Sequence, residues 1–279
     1  MTRVLKIFGE RNSGTNVLWR VLAKNFHVQL LRGTVPRWHM PLAAARLFAK
    51  CNVSSSRLRE RVLDHYFRTR FASTLGWKHG APDLDRMTSW HRTHIRFVVI
   101  TRNPYAWALS MFRRPYHAHR RFTDIDEFLR FSYPVYTRDN IPASGLPAAS
   151  LWTAKHNRYL TFLPQIAHGT HIRYEDLLEH GTSSLRRIAR TLDLEATGPL
   201  RMEQRSVKSN DTATLSKYSE YYLSEAWRHY LTNSCVRMIN GHLNPQVVAD
   251  LGYAILDPKA FPDRTLAEDV LPQPPTTRF

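Results

Sequence analysis

The sequence is poor in cysteine and has no long apolar run. Only Cys51 and Cys235 occur among 279 residues, far apart and in no C-x-x-C pair. This excludes a disulfide scaffold and a thiolate zinc site, and it is typical of a reducing compartment. No stretch approaches the roughly 20 apolar residues of a membrane-spanning helix, and residues 2–8 are typical of a core strand and not of a signal peptide. The sequence therefore predicts a soluble, cytoplasmic protein without a membrane span.

Acidic residues are also few relative to basic ones. There are 40 Lys and Arg against 23 Asp and Glu, which gives a formal net charge of +17. This imbalance favours anionic partners, such as nucleic acid, acidic polysaccharide, a membrane surface or a phosphorylated cofactor. Charge alone does not choose among them, and a solvated basic surface explains it equally well.

Strand-like and helix-like segments alternate along the chain, without internal repeats. Short apolar runs predict strands at Val4–Phe8, Thr74–Trp77, Phe97–Thr101 and Thr170–Tyr174. Helices are predicted at Thr15–Phe26, Pro104–Arg113, Ser150–Leu163 and Leu177–Leu192. This alternation predicts one α/β domain with a central parallel sheet flanked by helices, whose ligands lie beyond the carboxyl ends of the strands.

Two segments depart from this alternation. Residues 112–148 are rich in arginine and aromatic residues, and we interpret them as an insertion or flexible flap on the acceptor side, with a short helix at Asp126–Phe131. Residues 266–279 include a Pro-rich stretch and are predicted to be a disordered tail. The predicted domain then spans residues 1–265.

The first candidate site is the loop in FGERNSGTN, residues 8–16, between the first strand and the first helix. Gly9 and Gly14 have the spacing of a G-x-x-x-x-G phosphate-binding loop. However, Thr15 and Asn16 stand where a nucleoside-triphosphate site carries Lys and then Ser or Thr. Without that lysine and that magnesium-binding hydroxyl, the loop predicts a nucleotide that lacks a triphosphate and needs no metal.

The same loop is rich in hydrogen-bond donors. Backbone N–H groups of residues 13–16 at a helix N-terminus favour an anion, and the helix dipole adds to the attraction. The hydroxyls of Ser13 and Thr15 and the guanidinium of Arg11 are further donors. The structural alternative is a helix that is simply capped by Asn12 or Ser13.

The second candidate site follows the predicted strand Phe97–Thr101. Asn103 is a typical N-cap and Pro104 a typical first helical residue. Arg102 should therefore lie at the carboxyl end of the strand, with Ser110 two helical turns further on, so that both could contact one anion. The alternative is a surface arginine and an unrelated helix serine.

The third candidate site is LGWKHGAP, in which Trp77 is predicted to end a strand. His79 would then lie at the carboxyl edge of the sheet, where a histidine can act as a general base near neutral pH. Lys78 could stabilise negative charge on a leaving or bridging oxygen. The alternative is a partly exposed histidine without a function.

Taken in order, these stretches resemble the sulfotransferases that use 3′-phosphoadenosine 5′-phosphosulfate (PAPS). RNSGTN is similar to the loop that binds the 5′-phosphosulfate, and Arg102 with Ser110 matches the 3′-phosphate motif of that family. Lys78 and His79 resemble the family's lysine and catalytic histidine. RYEDLL is a frequent family string whose tyrosine, here Tyr174, lies near the adenine. The resemblance extends from residue 4 to about residue 253.

The resemblance implies a P-loop NTPase-like sulfotransferase fold and PAPS as the sulfate donor, with no metal. His79 would deprotonate a hydroxyl or amine acceptor, while Arg11 and Lys78 would stabilise the charge on the transferred group. The implied cofactor-binding residues are Arg11, Asn12, Ser13, Gly14, Thr15, Asn16, Arg102, Ser110, Tyr174 and Lys208.

Two positions depart from the family pattern. The basic residue of the family loop directly precedes Ser-Gly, whereas here Asn12 has that place and Arg11 lies one position earlier. Asn16 replaces the second threonine of the loop. Lys78 is therefore expected to share the task of Arg11 at the bridging oxygen.

Other functions remain open on the sequence alone. A metal-dependent nucleotide kinase would have the same class of fold, and a basic nucleic-acid-binding module would have the same charge, with a steep salt dependence of binding. The sequence predicts no metal site, because HAH at 117–119 lies in an acid-poor stretch. Basic residues at 113–121 are compatible with an acidic sugar or lipid headgroup as acceptor, and the aromatic residues there with a phenol or small alcohol.

Overall fold

The central sheet contains four parallel strands in the computed structural model, which describes residues 2–36, 39, 41, 53–203 and 214–264. The strands in chain order are β1 (Arg3–Phe8), β2 (Val28–Leu30), β3 (Arg96–Thr101), β4 (Tyr133–Pro134), β5 (Gly145–Leu146) and β6 (Gly169–Arg173). The sheet has the order β2-β1-β3-β6, and every neighbouring pair is parallel. β4 and β5 form a separate antiparallel hairpin.

Helices cover both faces of this sheet. They are α1 (Thr15–Asn25), α2 (Val53–Thr69), α3 (Phe71–Thr74), α4 (Ser89–His94), α5 (Pro104–Arg113), α6 (Ile125–Arg130), α7 (Ala148–Phe162), α8 (Tyr174–Leu192), α9 (Leu215–Leu223), α10 (Asn233–Asn240) and α11 (Pro245–Asp250). Short 3₁₀ turns occur at Thr137–Asp139, Leu163–Gln165, Ala226–Tyr230 and Pro258–Ala260. The predicted α/β fold, with a central parallel sheet flanked by helices, is confirmed.

The strand β3 shows why the sheet is recognisable from sequence. All six of its residues are buried. Val98 and Ile100 belong to the hydrophobic core on one face of the sheet, and Phe97 and Val99 belong to the core on the other face. A strand that is covered on both faces is continuously apolar, which is the pattern that parallel sheets produce.

The prediction of a strand at Thr74–Trp77 is wrong. Thr74 ends α3, and the next two residues, Leu75 and Gly76, have φ angles of 50° and 83°, so the chain turns there. The buried side chain of Lys6 in β1 donates hydrogen bonds to the carbonyl oxygens of Thr74 and Gly76. Because a lysine side chain satisfies these carbonyls, the segment needs no neighbouring strand.

The predicted flap, residues 112–148, places several side chains in the protein interior. Its predicted short helix is present as α6, and Phe128, Tyr133 and Asp139 are completely inaccessible to solvent. The flap therefore contributes side chains to the core and brings Asp139 next to the phosphate-loop segment.

Two predictions fall outside the described residues: the disordered tail at 266–279 and the cofactor contact Lys208. Within the described ranges, none of the helices combines the length and the apolar character that crossing a membrane requires.

Candidate functional site

The loop after β1 leads into α1 through Gly14, and this residue is the N-cap of the helix, instead of the predicted Asn12 or Ser13. Gly14 has φ 89° and the described residues provide no side-chain cap for the helix start. A Cβ atom here would also lie 2.4 Å from the ring of Tyr174. Only glycine suits both constraints, and the result is a helix N-terminus whose first amides are free of a side-chain cap, as an anion site requires.

Two loop residues join this site to the second motif. The side-chain amide of Asn12 donates to the backbone carbonyl oxygen of Ser110 over 3.2 Å, and the backbone carbonyl oxygen of Asn12 accepts from Arg102 over 2.9 Å. The hydroxyl of Ser13 is buried and has no hydrogen-bond partner within the described part of the chain. The fold thus brings the loop, Arg102 and Ser110 together, as the sequence predicted.

Arg102 is held rigidly but is incompletely bonded. It follows β3 and is 4% exposed. Its guanidinium lies 3.9 Å from the ring centroid of Tyr222 and 5.5 Å from that of Tyr174. Nε and Nη2 are buried and make no hydrogen bond of normal geometry in the regions that the structure covers, although the Tyr222 side chain is close enough for a weak one. Buried guanidinium donors are normally satisfied, so this pair of nitrogens is suited to an anionic ligand.

Lys78 places a lysine at the loop, which has none of its own. Its Nζ donates to the side-chain oxygen of Asn16 at the start of α1. Its backbone is fixed on both sides, by hydrogen bonds to Gly9 and Gly33. Burial lowers the pKa of Lys78 to about 8. The side chain of a lysine that is 62 positions away in the sequence therefore contacts the phosphate loop.

His79 is fixed in one orientation by β1. Its Nδ1 lies 2.8 Å from the carbonyl oxygen of Gly9. Because a carbonyl oxygen only accepts hydrogen bonds, Nδ1 carries the proton and Nε2 keeps a free lone pair. Burial and the positive charges of Lys78, Arg11 and Lys155 hold the pKa of His79 well below its ordinary value. The imidazole is therefore neutral at pH 7 and able to accept a proton through Nε2.

Arg11 forms two buried ion pairs. Its guanidinium donates to Glu10 over 2.9 Å and to Asp139 over 3.4 Å, and it is 2% exposed. The carboxylates neutralise its charge and engage two of its N–H donors, whereas Nε is buried and unpartnered among the described residues. Arg11 also lines the cavity described below, so its direct role at the transferred group stays a prediction.

Lys155 completes this buried ion cluster, which consists of Glu10, Arg11, Asp139 and Lys155. It forms a 2.5 Å ion pair with Glu10 and a second one with Asp139, and all three side chains are inaccessible to solvent. Lys155 also donates to the backbone carbonyl of His79 over 2.7 Å. The cluster thus fixes the backbone at the candidate base. Sequence reasoning missed it, although a lysine on the apolar stripe of the predicted helix Ser150–Leu163 was a usable signal.

His117 is a further histidine that sequence reasoning did not place in the site. Its Nδ1 lies 3.1 Å from a carboxylate oxygen of Glu60 on α2. Glu60 in turn pairs with Arg138, whose side chain is fully buried. Burial lowers the pKa of His117 to about 4. Burial alone would raise the pKa of Glu60, but His117 and Arg138 lower it.

Most of the predicted site residues line one cavity of about 370 Å³. The predicted residues that line it are Arg11, Asn12, Gly14, Thr15, Asn16, Lys78, His79, Arg102, Ser110 and Tyr174. His117, Tyr218 and Tyr222 also line it. Of the other predicted residues, Ser13 is buried and does not line the cavity, and Lys208 falls outside the described residues. Within the described ranges, no group of three or more His, Cys, Asp or Glu side chains is arranged to hold a metal ion.

Comparisons of the sequence with known proteins identify no relative. No protein-family model matches the chain, and no curated protein matches it. Among solved structures, the chain is similar to the sulfotransferase domain from the curacin biosynthetic pathway, at 14% identity and a TM-score of 0.34. The similarity covers 70% of this chain and 75% of that domain. At this TM-score, it carries no argument about the activity of this chain.

Proposed function

We propose that the protein is a PAPS-dependent sulfotransferase that transfers a sulfuryl group to a hydroxyl or amine acceptor. The observation that carries the proposal is the set of buried, unpartnered donors beside the uncapped start of α1. Ser13 and Arg102 contribute these donors. Arg102 lines the cavity, and Ser13 lies in the chain between two residues that line it, Asn12 and Gly14. Buried donors without partners are costly, on the order of 1–3 kcal/mol each, so they point to an anionic ligand that completes them.

The donors are suited to two separate anionic groups. The start of α1, with Lys78, suits the 5′-phosphosulfate. Arg102 and Ser110 suit the 3′-phosphate, and the rings of Tyr174 and Tyr222 offer an aromatic wall for the adenine. A cavity of about 370 Å³ lies within the range of roughly 300–1,000 Å³ that small-molecule sites occupy.

The proposed reaction is a direct in-line transfer. PAPS supplies an activated sulfuryl group with adenosine 3′,5′-bisphosphate as the leaving group. The acceptor oxygen forms a new bond to sulfur as the bond from sulfur to the bridging phosphate oxygen breaks. Nε2 of His79 takes the acceptor proton, and Lys78 at Asn16 stabilises the charge on the departing phosphate. Arg11, which also lines the cavity, is predicted to share this task.

A magnesium-dependent kinase is the alternative for this class of fold. Lys78 at the loop would suit it, but Glu10, the carboxylate at the end of β1, is inaccessible and ion-paired with Arg11 and Lys155. A carboxylate that is already neutralised by two cations is a poor magnesium ligand. The buried ion cluster therefore favours sulfuryl transfer.

Titration calorimetry and a radiolabel assay test the proposal together. The protein should bind PAPS without magnesium, and it should transfer labelled sulfate to an acceptor in excess EDTA. Tight binding of ATP that requires magnesium, with no binding of PAPS, would instead support the kinase. Arg130→Ala, at an exposed arginine on α6, is the control for nonspecific loss of positive charge.

A further inference from the structure

His117 is a cavity-lining residue that the proposed transfer step does not use. Its backbone has φ 67°, a left-handed conformation that non-glycine residues rarely adopt. Such conformations occur where the surrounding structure holds them, and they concentrate at functional sites. The question is what this imidazole contacts in the cavity.

Glu60 and Arg138 fix the orientation of the His117 ring. The carboxylate of Glu60 lies 3.1 Å from Nδ1 of His117, and Arg138 holds that carboxylate in place. Arg138 is anchored further by a 2.7 Å ion pair with Asp64. An ionised carboxylate only accepts hydrogen bonds, so Nδ1 of His117 carries the proton. The nitrogen left for a ligand is Nε2, and it is a hydrogen-bond acceptor.

His79 has the same arrangement on the same indole ring. The rings of His79 and His117 both meet Trp77 edge-on, with centroids 5.2 and 5.6 Å from that of the indole. Both histidines donate from Nδ1 to the protein, to Gly9 and to Glu60 respectively. The cavity therefore contains two imidazoles whose free nitrogens are both acceptors.

We propose that the acceptor substrate is polyhydroxylated, a polyol or carbohydrate, and that Nε2 of His117 accepts a hydrogen bond from a second hydroxyl while His79 faces the reacting one. This inference rests on the proposed sulfuryl transfer. A substrate with one hydroxyl satisfies His79 alone and leaves Nε2 of His117 without a donor from the substrate. A substrate with two hydroxyls satisfies both. The second hydroxyl takes no part in bond making, so its effect is on binding and orientation.

A matched set of small acceptors tests this with the full chain and labelled PAPS. The probes are cyclohexanol, the cyclohexanediols and methyl glucopyranoside. One satisfied hydrogen bond predicts that at least one diol exceeds cyclohexanol in kcat/KM by roughly tenfold or more. His117→Gln should reduce this ratio to near one. His180→Gln is the control, because His180 is exposed on α8 and outside the cavity lining.

Glu60→Gln is a second variant, and it keeps the size of the side chain while removing the carboxylate that orients His117. It should lower the same ratio less than His117→Gln does, through KM more than through kcat. Thermal unfolding of each variant verifies that it is folded.

Binding of 3′,5′-adenosine bisphosphate separates this inference from the proposed function. If the protein binds the bisphosphate but prefers cyclohexanol, treats mono- and dihydroxy probes equally or sulfates no polyol, the inference is overturned and the proposed function stands. A diol preference that survives His117→Gln would also overturn it. If the protein does not bind the bisphosphate, both the inference and the proposed function are overturned.

Discussion

The two histidines on Trp77 have the same hydrogen-bond pattern, and burial lowers the pKa of both, but only His117 has a carboxylate beside it. His79 donates to a neutral carbonyl and has Lys78, Arg11 and Lys155 around it. His117 donates to the carboxylate of Glu60. Positive surroundings destabilise a protonated imidazole, whereas an adjacent carboxylate stabilises it.

The difference suggests a division of work within one cavity. Burial and Lys78 keep His79 neutral next to the phosphate loop, so it is available as a base at the moment of transfer. The positive charge of Lys78 also attracts the anionic donor. His117 belongs to a rigid wall made by α2 and residues 112–148. The phosphate-loop side is therefore suited to chemistry, and the Glu60 side to recognition.

The largest expected effect is on the His79 side. His79→Asn should lower turnover about 10²–10⁴-fold, because a hydroxyl is a poor nucleophile unless a base removes its proton. Affinity for adenosine bisphosphate should change little. The assay is labelled sulfate transfer at saturating PAPS, with His94→Asn as control, since His94 ends α4 just before the amino end of β3. Normal turnover by His79→Asn would place the base elsewhere.

The next largest effect is expected on stability, from the buried ion cluster that contacts the backbone of His79. Lys155→Met removes the partner of Glu10 and Asp139 and the donor to the His79 carbonyl. Breaking a buried pair leaves uncompensated charge, which costs about 3–5 kcal/mol of the free energy of unfolding. Urea denaturation measures this loss.

Lys24→Met provides the matched control. Lys24 is 50% exposed and lies 3.7 Å from Glu203, so this variant should lose less than about 1 kcal/mol. Equal losses for the two variants would show that the cluster is no more important than a surface ion pair.

A smaller effect concerns acid stability on the His117 side. The pKa of His117 is lowered from 6.5 to about 4 in the folded protein. Between these values the unfolded chain binds the proton and the folded chain does not, so the stabilising contribution is present above about pH 6.5 and is lost as the pH falls toward 4.

Replacing His117 by a residue that does not titrate should weaken the pH dependence of the free energy of unfolding. His117→Gln should lose less of its free energy of unfolding between pH 7 and pH 4 than the wild type does, as measured by urea denaturation at each pH. His156 and His171, whose pKa values burial lowers to about 3 and about 4, keep part of the dependence in both proteins. A steeper dependence in the variant would show that His117 is protonated in the folded state.

The elements that could be predicted from sequence are those with local signals. The run Phe97–Thr101 is apolar because β3 is buried on both faces, and Asn103 with Pro104 begins α5 as capping chemistry requires. The glycine-bearing loop and Arg102 were found for the same reason, since strand, loop and helix follow each other directly. These residues do line one cavity.

What sequence reasoning missed depends on contacts between distant residues. Glu60 and His117 are 57 positions apart, and Lys6 meets the carbonyl of Thr74 from 68 positions away. Such pairs leave no periodicity in the sequence. The HAH motif has few acidic residues near it in the sequence, but the fold brings Glu60 beside it. Likewise, the segment Thr74–Trp77 was predicted as a strand because its apolar residues are buried, not because it pairs.

The measurement that tests the account most directly is the preference for a 3′-phosphate. Calorimetry should show that the wild type binds 3′,5′-adenosine bisphosphate at least tenfold more tightly than AMP, because each charge-assisted hydrogen bond contributes about 1.5–3 kcal/mol. Arg102→Ala should remove most of that preference, and Arg130→Ala should keep it. Equal affinity of the wild type for the two nucleotides would contradict the assignment of Arg102 and Ser110, and with it the proposed sulfotransferase.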